Sequence, residues 1–265
     1  MGAETTRFVG SVPELYERYL GPVLFGPYAR ELAARLPPAK NVLEIAAGTG
    51  RLTRRLLAVI APDSVVVATD LNEPMLDEAR RHVTDPRVQW QVADAQALPF
   101  PDRTFDAVLC QFGLMFVPDK LLALREMRRV LRPGGTALIS VWNALASNAA
   151  QNLVHELARA AFPDDPPLFL ETPFSMPDRD GLVALATEAG FAAVRVDTVA
   201  RIADAPSAAD FAIGLVRGNP LWHQLVERGV DAGGFEAKVT AELVSRFGDS
   251  PCRSPLSAHV LTAVA

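Results

Sequence analysis

Residues 42–52, VLEIAAGTGRL, constrain the fold of this chain more than any other stretch. Val42 to Ala46 is apolar apart from Glu44 and has the length of a buried strand. Ala46-Ala47-Gly48-Thr49-Gly50 then offers small side chains, two of them absent, so the chain can turn sharply and a ligand can approach the backbone. Leu52, Leu56 and Val59 follow at helical spacing, with Arg51, Arg54 and Arg55 facing outward as a solvated surface. A strand that enters a helix through such a turn gathers free N–H groups and the positive end of the helix dipole at one point, where a polar ligand can be held.

The same grammar repeats downstream. Ser64 to Thr69 (SVVVAT) reads as a second strand, rich in β-branched residues. Pro74 opens a helix with Met75, Leu76 and Ala79. Val88 to Ala93 and Phe105 to Cys110 read as the third and fourth strands. Asp119 to Leu131 is predicted as a helix with Leu121, Leu124, Met127 and Leu131 on one face. Arg132-Pro133-Gly134-Gly135 reads as a turn into a fifth strand, Thr136 to Trp142. Alternating strands and helices imply a parallel sheet covered on both faces. Right-handed crossovers make this a doubly wound α/β fold, whose ligands bind beyond the C-terminal strand ends. The residues to inspect therefore follow positions 45, 69, 93, 110 and 142.

The second half is less regular. Ser147 to Phe162 is predicted helical, and prolines at 163, 166, 167, 173 and 177 mark a loop-rich stretch. Asp178 to Ala189 reads as a helix capped by Gly190. Ala193 to Ile202 alternates like a strand, residues 206–217 and 236–247 read as helices, and Ser257 to Ala265 as a final strand. No repeat of solenoid length is present. With no clean linker, one domain over 1–265 with a lid-like elaboration is expected.

Composition narrows the function. The chain has 265 residues and a formal charge of −5, which argues against a duplex nucleic-acid binder. Cys110 and Cys252 have no ligand-like spacing, so neither a disulfide framework nor a zinc site is expected. No apolar run is long enough for a membrane span. Glu4 and the lack of an apolar leader core argue against a signal peptide. Met1-Gly2-Ala3-Glu4-Thr5-Thr6 matches the loose myristoylation pattern, with nothing else to support an anchor. A reducing, cytoplasmic location is expected.

Details of the first turn select among nucleotide-binding folds. A dinucleotide fingerprint would need a third glycine where Thr53 stands, and Glu44 places a carboxylate within the strand, next to where a pyrophosphate would sit. An acid there suits a ligand with a cationic part. Asp70 ends the second strand, 20 residues after Gly50, and can accept hydrogen bonds from ribose hydroxyls. Asp94-Ala95 follows the third strand, Leu98-Pro99-Phe100-Pro101-Asp102 and Phe105-Asp106 lead into the fourth, and Arg132-Pro133-Gly134-Gly135 into the fifth. In this order, residues 42–142 resemble class I S-adenosylmethionine (SAM) dependent methyltransferases of the ubiquinone/menaquinone C-methyltransferase type. That family's acidic residue and G-x-G-x-G correspond to Glu44, Ala46, Gly48 and Gly50. Ala46 departs from the pattern, which is tolerable if its φ is negative.

The resemblance implies a Rossmann-like, seven-stranded, mostly parallel sheet with helices on both faces. It divides the chain into an N-terminal helical cap (1–36), a SAM-binding core (37–142), lid segments (143–177 and 203–256) and segments completing the sheet (178–202 and 257–265). It implies SAM as methyl donor, S-adenosylhomocysteine as product and a small-molecule acceptor. SAM would be held by Tyr16, Glu44, Ala46, Ala47, Gly48, Gly50, Asp70, Leu71, Met75, Asp94, Ala95, Gln111 and Phe112. Leu71 and Met75 would flank the adenine and Asp94 would meet its amino group. Tyr16, in LYERYL, stands at the family's tyrosine position, with helix packing as its plain alternative. Bland readings accompany the rest: Glu44 as a helix cap, Asp70 as a turn acid, Asp106 as a structural acid at a strand start.

An O- or N-acceptor would call for a general base. His155 and His223, in the lid segments, are the candidates beside Tyr16; His82 and His259 read as surface and strand residues. No metal-ligand cluster stands out. Trp142, Phe162, Phe169, Phe174, Met176, Phe211, Trp222 and Phe235 suggest an apolar or aromatic acceptor, or simply fill a core. Three other readings are weaker: a SAM-fold protein without methyl transfer, a nicotinamide-dependent oxidoreductase, and an RNA or protein methyltransferase. Oligomeric state is not legible in the sequence.

Overall fold

The computed structural model describes Phe8 and residues 10–265, so the Met1–Thr6 pattern lies outside the described residues. Contacts divide the chain into two compact units. The first, the sheet unit, comprises Tyr28–Trp142, Met176–Val199 and Ala258–Ala265. The second, a helical unit, comprises the chain up to Pro27, Asn143–Ser175 and Ala200–Ser257.

Seven strands, β1 (Asn41–Ile45), β2 (Val65–Asp70), β3 (Val88–Val92), β4 (Phe105–Gln111), β5 (Leu131–Trp142), β6 (Ala192–Ala205) and β7 (Cys252–Val264), form one sheet in the order β3-β2-β1-β4-β5-β7-β6. Strands β1 to β5 pair in parallel and β7 runs antiparallel to β5. This is the mostly parallel α/β sheet expected from the alternation of elements. Val42 to Ile45 are buried without alternation, as a central strand covered on both faces requires. β3, at the edge, is only half-buried or exposed along its length.

Helices Arg51–Leu57, Glu73–His82, Lys120–Val130 and Arg179–Glu188 connect or flank these strands. Pro74 lies in the first turn of its helix, and Asp119 caps the next by accepting the Leu122 N–H at 2.9 Å, as N-caps do. Gly190 takes φ +94° just past the helix ending at Glu188, the left-handed stop that glycine allows. Two expectations need correction. Val59 lies beyond the helix, which ends at Leu57, and is 55% exposed. Arg132 to Gly135 are not a separate turn: they belong to β5, whose register against β4 jumps from Phe105↔Leu131 to Ala107↔Thr136. Gly134 and Gly135 there exchange backbone hydrogen bonds with Ala265, so the proline and glycines form a bulge closed by the chain's last residue.

The Leu98–Asp102 motif is explained by packing. Arg129 donates to the Leu98 and Phe100 carbonyls and to Asp102, while Glu126 accepts the Leu98 N–H at 2.9 Å. The motif pins a loop to the helix before β5. At the N-terminal end of the sheet, Asp106 accepts the N–H groups of Lys40 and Asn41 at 3.0 and 2.9 Å and pairs with Arg132. It is the structural acid expected there.

In the helical unit, Tyr16–Phe25 winds as a π-helix, with the Gly26 N–H reaching back to the Gly21 carbonyl. The other helices are Ala149–Ala161, Ala208–Arg217, Leu221–Glu227 and Ala232–Phe247. Helix Ala208–Arg217 packs on both Ala232–Phe247 and Tyr16–Phe25. Gly214 permits the second contact, since a Cβ there would lie 2.7 Å from Leu20 and 2.9 Å from Tyr19. Phe211, Leu153, Val239 and Leu243 fill this unit's core. Among the described residues, no helix is long and apolar enough to cross a membrane.

Candidate functional site

The turn after β1 adopts an unusual backbone. Ala46, Gly48 and Gly50 all have positive φ, at 54°, 55° and 77°. For the glycines this costs little. For Ala46 it overturns the expectation of a negative φ and stores roughly 1–2 kcal/mol of strain. The turn is held by Ala47 N–H donating to the Thr69 carbonyl at 2.9 Å and Gly50 N–H donating to the Ala47 carbonyl at 3.0 Å. A Cβ at Gly50 would crowd the side chains of Trp90 at 3.2 Å and Val83 at 3.3 Å, besides the positive φ.

Asp70, at the end of β2 and 7% exposed, faces this turn. One carboxylate oxygen accepts the Gly48 N–H at 2.9 Å and the other accepts the Asn72 N–H at 2.8 Å. The Asn72 side-chain amide lies 3.4 Å from the same oxygen and the Leu71 N–H also turns to this carboxylate. Burial pushes the Asp70 pKa up, against the pull of these hydrogen bonds. Glu44 lies within β1 and is 1% exposed. Its Oε2 accepts the Thr53 hydroxyl at 2.6 Å and its carboxyl also takes a Thr53 backbone N–H. Burial raises its pKa to about 8. The helix-cap reading of Glu44 is therefore realised, and Thr53, which sequence reasoning noted only as a missing glycine, is its partner. A hydroxyl residue in the first turn of the following helix was the available signal.

The remaining expected residues border the same strand ends. Met75 is buried, its methyl within 3.5 Å of where a Gly48 Cβ would stand. Leu71 is 61% exposed beside Asp70. Asp94 accepts the Gln96 N–H at 2.8 Å in a tight turn, followed by buried Ala95. Gln111 ends β4. Phe112 has φ +55° and stacks on Trp142, with ring centroids 3.9 Å apart and planes 7° from parallel. Tyr28 meets both rings edge-on and donates its hydroxyl to the Val199 carbonyl. Trp142 ends β5 within the sheet unit, at the strand end expected for it.

Tyr16, His155 and His223 belong to the helical unit. Tyr16 stacks on Phe25 at 4.6 Å and meets Phe8 edge-on. His155 is 9% exposed, with Nδ1 lacking a partner among the described residues; His223 Nε2 is in the same position. His82 pairs with Glu78, and His259 bonds Thr198 and the Pro177 carbonyl. Cys110 is buried, which raises its thiol pKa to about 12 and makes it unreactive. Among the described residues no group of three or more His, Cys, Asp or Glu is placed to hold a metal ion.

A nest of left-handed turn residues beside two buried acids at the C-terminal strand ends defines a nucleoside-binding α/β protein. Comparison with known proteins specifies it further. The family model described as "Methyltransferase domain" matches residues 42–135. The chain is 37% identical over 172 residues to the ubiquinone/menaquinone biosynthesis C-methyltransferase of Teredinibacter turnerae, a match covering 60% of this chain and 69% of the relative. It is 47% identical over 103 residues to that of Hahella chejuensis, covering 37% of this chain and 41% of the relative. Over that match the chain spans less than half the length of the Hahella chejuensis relative. Solved structures of like fold include phosphoethanolamine N-methyltransferase 2 of Haemonchus contortus in complex with SAM (TM-score 0.63, 16% identity, 98% of this chain and 58% of that one). They also include the [4+2]-cyclase SpnF (TM-score 0.53, 20% identity, 90% and 80%). The chain belongs to the ubiquinone/menaquinone C-methyltransferase-like family of class I SAM-dependent methyltransferases.

The residues present fit SAM. Glu44 and Asp70 are two buried acids whose ionised forms are disfavoured by burial, and a ligand bringing hydroxyl donors and a cationic centre would stabilise them. The glycine turn leaves space beside its backbone, since a Cβ at Gly48 would meet nothing closer than Met75 at 3.5 Å.

Proposed function

We propose that the protein transfers the methyl group of SAM to a small, apolar or aromatic organic molecule. The observation carrying this is the convergence of the positive-φ turn 46–50 on the buried Asp70 carboxylate. In this reading Asp70 holds the ribose, and the turn with Glu44 holds the amino-acid part. Leu71, Met75, Asp94 and Ala95 border the adenine, and Gln111 and Phe112 border the methyl-bearing end. SAM supplies a sulfonium that makes its methyl carbon electrophilic and lets it depart from a neutral thioether. The chain's own contribution is to orient the acceptor and exclude water, effects that can supply about 7–11 kcal/mol.

Tyr16, His155 and His223 are the candidates for a general base where the acceptor is a hydroxyl or an amine, and Tyr16 also for a contact to SAM. The reading treats 1–265 as one catalytic domain, with 37–142 as the SAM core, acting in the cytoplasm without nucleic acid. Titration with SAM, S-adenosylhomocysteine and NAD, followed by thermal unfolding, tests it. SAM and S-adenosylhomocysteine should raise the Tm through linkage; a rise with NAD and none with SAM would overturn the reading. A second reading, SAM binding without methyl transfer, has one observation in its favour: a cyclase shares the fold. Formation of S-adenosylhomocysteine on turnover separates the two.

A further inference from the structure

Strand β3 forms one edge of the sheet, hydrogen-bonded to β2. Its residues are Val88-Gln89-Trp90-Gln91-Val92, the same sequence in either direction. The strand contains no charge and no proline, the devices that usually keep an edge from accepting another strand. The chain runs from Val92 to Phe105 without a helix, and Gln89 and Gln91 are exposed.

Two backbone contacts fix where the strand's polar groups point. The Arg87 carbonyl accepts the Val66 N–H at 3.0 Å, and the Ala93 N–H donates to the Asp70 carbonyl at 3.1 Å. Residues 87 and 93 therefore face β2, as do 89 and 91, because the facing side alternates along a strand. Val88, Trp90 and Val92 direct their N–H and C=O groups to the open edge. Of these groups, the Val88 N–H is already taken by the Asp85 carbonyl at 3.1 Å. Side chains alternate in the same way. The Trp90 ring lies 3.2 Å from where a Gly50 Cβ would stand, and Val88 and Val92 share its face, Val92 being 45% exposed. Gln89 and Gln91 project from the opposite face.

We propose that β3 is a homodimer contact, pairing antiparallel with β3 of a second copy of this chain about a two-fold axis through Trp90. The palindrome selects this occupant. A two-fold contact is self-complementary, so each residue and its opposite number exchange places across the axis. Centred on Trp90, the contact sets Trp90 against Trp90, Gln89 against Gln91 and Val88 against Val92, like with like at every position. The groups that face the edge are the ones it uses. Each Trp90 N–H donates to the Trp90 carbonyl of the other copy, and each Val92 N–H to the other Val88 carbonyl, as in a hydrogen-bonded antiparallel pair. The spent Val88 N–H is not required. Other axes fit less well. An axis at Gln89 sets Val92 opposite Pro86, which has no N–H to give. One at Gln91 sets Val88 opposite Asp94, whose segment is bridged to Ala97. The flanking charges also agree, since Arg87 of each copy comes to the strand end where the other carries Asp94.

Sedimentation equilibrium of the full chain tests this. The wild type should approach twice its 28.6 kDa as its concentration rises from about 1 to about 200 µM, the behaviour of a small, transient interface. Gln89→Lys with Gln91→Lys places lysine opposite lysine on both sides of the axis and should leave the chain monomeric throughout. Gln89→Lys with Gln91→Glu places lysine opposite glutamate twice. It should dimerise about twofold to tenfold more tightly than the wild type, and salt should weaken that gain. Val92→Pro removes an N–H that faces the open edge, a change edge strands tolerate, and should also give a monomer. Circular dichroism of each variant confirms its fold. A wild type that stays monomeric at the highest concentration would overturn the proposal and leave the edge to a different partner or to none. Dimers that persist in both the double-lysine and proline variants would place the interface elsewhere. Equal association of the lysine–lysine and lysine–glutamate variants would exclude antiparallel pairing about Trp90.

Discussion

The two ends of the sheet use the same side-chain chemistry for opposite purposes. At the N-terminal end, burial works against the Asp106 carboxylate, but the N–H groups of Asn41 and Lys40 and the Arg132 guanidinium outweigh it and hold its pKa below the ordinary value. At the C-terminal end, burial outweighs the hydrogen bonds that Glu44 and Asp70 accept, and the Arg54 charge near Glu44, and pushes both pKa values up. An acid stabilised by partners of its own fold is finished chemistry. An acid whose charge is disfavoured by burial is one that a ligand supplying a cation or hydroxyl donors would stabilise.

The largest effect should come from exchanging these roles by isosteric substitution. If Asp70 holds the ribose as proposed, Asp70→Asn should weaken SAM binding by about tenfold to a hundredfold, or roughly 1.4–2.8 kcal/mol, because it loses the charge and half the acceptor positions of the carboxylate. Asp106→Asn should leave SAM affinity unchanged and lower the folding stability by about 2 kcal/mol, since it removes a charge-assisted network. Calorimetric titration and urea unfolding of both variants measure the four quantities. Equal loss of SAM affinity in the two would erase the distinction between the sheet's ends.

The pH dependence of stability should separate the ends next. Glu44 titrates at an ordinary 4.5 when unfolded and at about 8 when folded. Between those values the folded state holds a proton that the unfolded state has released, so stability falls as pH rises from about 4.5 to about 8 and is level above. Asp70 contributes with the same sign, because its pKa is also raised. Asp106 contributes with the opposite sign: its stabilisation is present above its ordinary 3.8 and is lost only as pH falls below that. Glu44→Gln should therefore flatten the decline in Tm between pH 5 and pH 8, leaving the acid limb as it is. Saturating SAM should flatten it in the wild type. An unchanged slope in the variant would show that Glu44 is ionised in the folded protein.

What the sequence disclosed follows the same division. The strand–turn–helix signal at 42–52 and the acid after β2 were legible because they are local: small residues, a periodic apolar face and a fixed spacing. Asp106 was legible as structural from its place at a strand start. The partners were not. Thr53 meeting Glu44 and Phe112 stacking on Trp142 both depend on which residues the tertiary fold brings together. The Pro133-Gly134-Gly135 run was read as a turn because its composition demands one locally; the pairing of Gly134 and Gly135 with Ala265 turns it into a bulge within a strand.

The smallest effect expected concerns Ala46, and it bears on how the ligand end tolerates its strain. Its φ of 54° favours glycine, yet Ala46→Gly should change stability by no more than about 1 kcal/mol. Relief of left-handed strain, roughly 1–2 kcal/mol, is offset by the added freedom of glycine in the unfolded chain, about 0.5–1 kcal/mol, and by the loss of a packed methyl, about 0.8 kcal/mol. The methyl packs because residue 113, after β4, is glycine: a Cβ built on Gly113 would lie 2.3 Å from the Ala46 Cβ and 3.0 Å from Cys110 Sγ. Gly113→Ala should thus destabilise the wild type by about 2 kcal/mol or more through overpacking. In an Ala46→Gly background the same change should cost clearly less, the remainder reflecting Cys110. A double-mutant cycle by urea unfolding reads the difference directly, with a coupling of about 1 kcal/mol or more expected for residues in contact. Additive effects would mean that Ala46 and Gly113 are independent, and that the alanine at the family's first glycine position is accommodated by the turn alone.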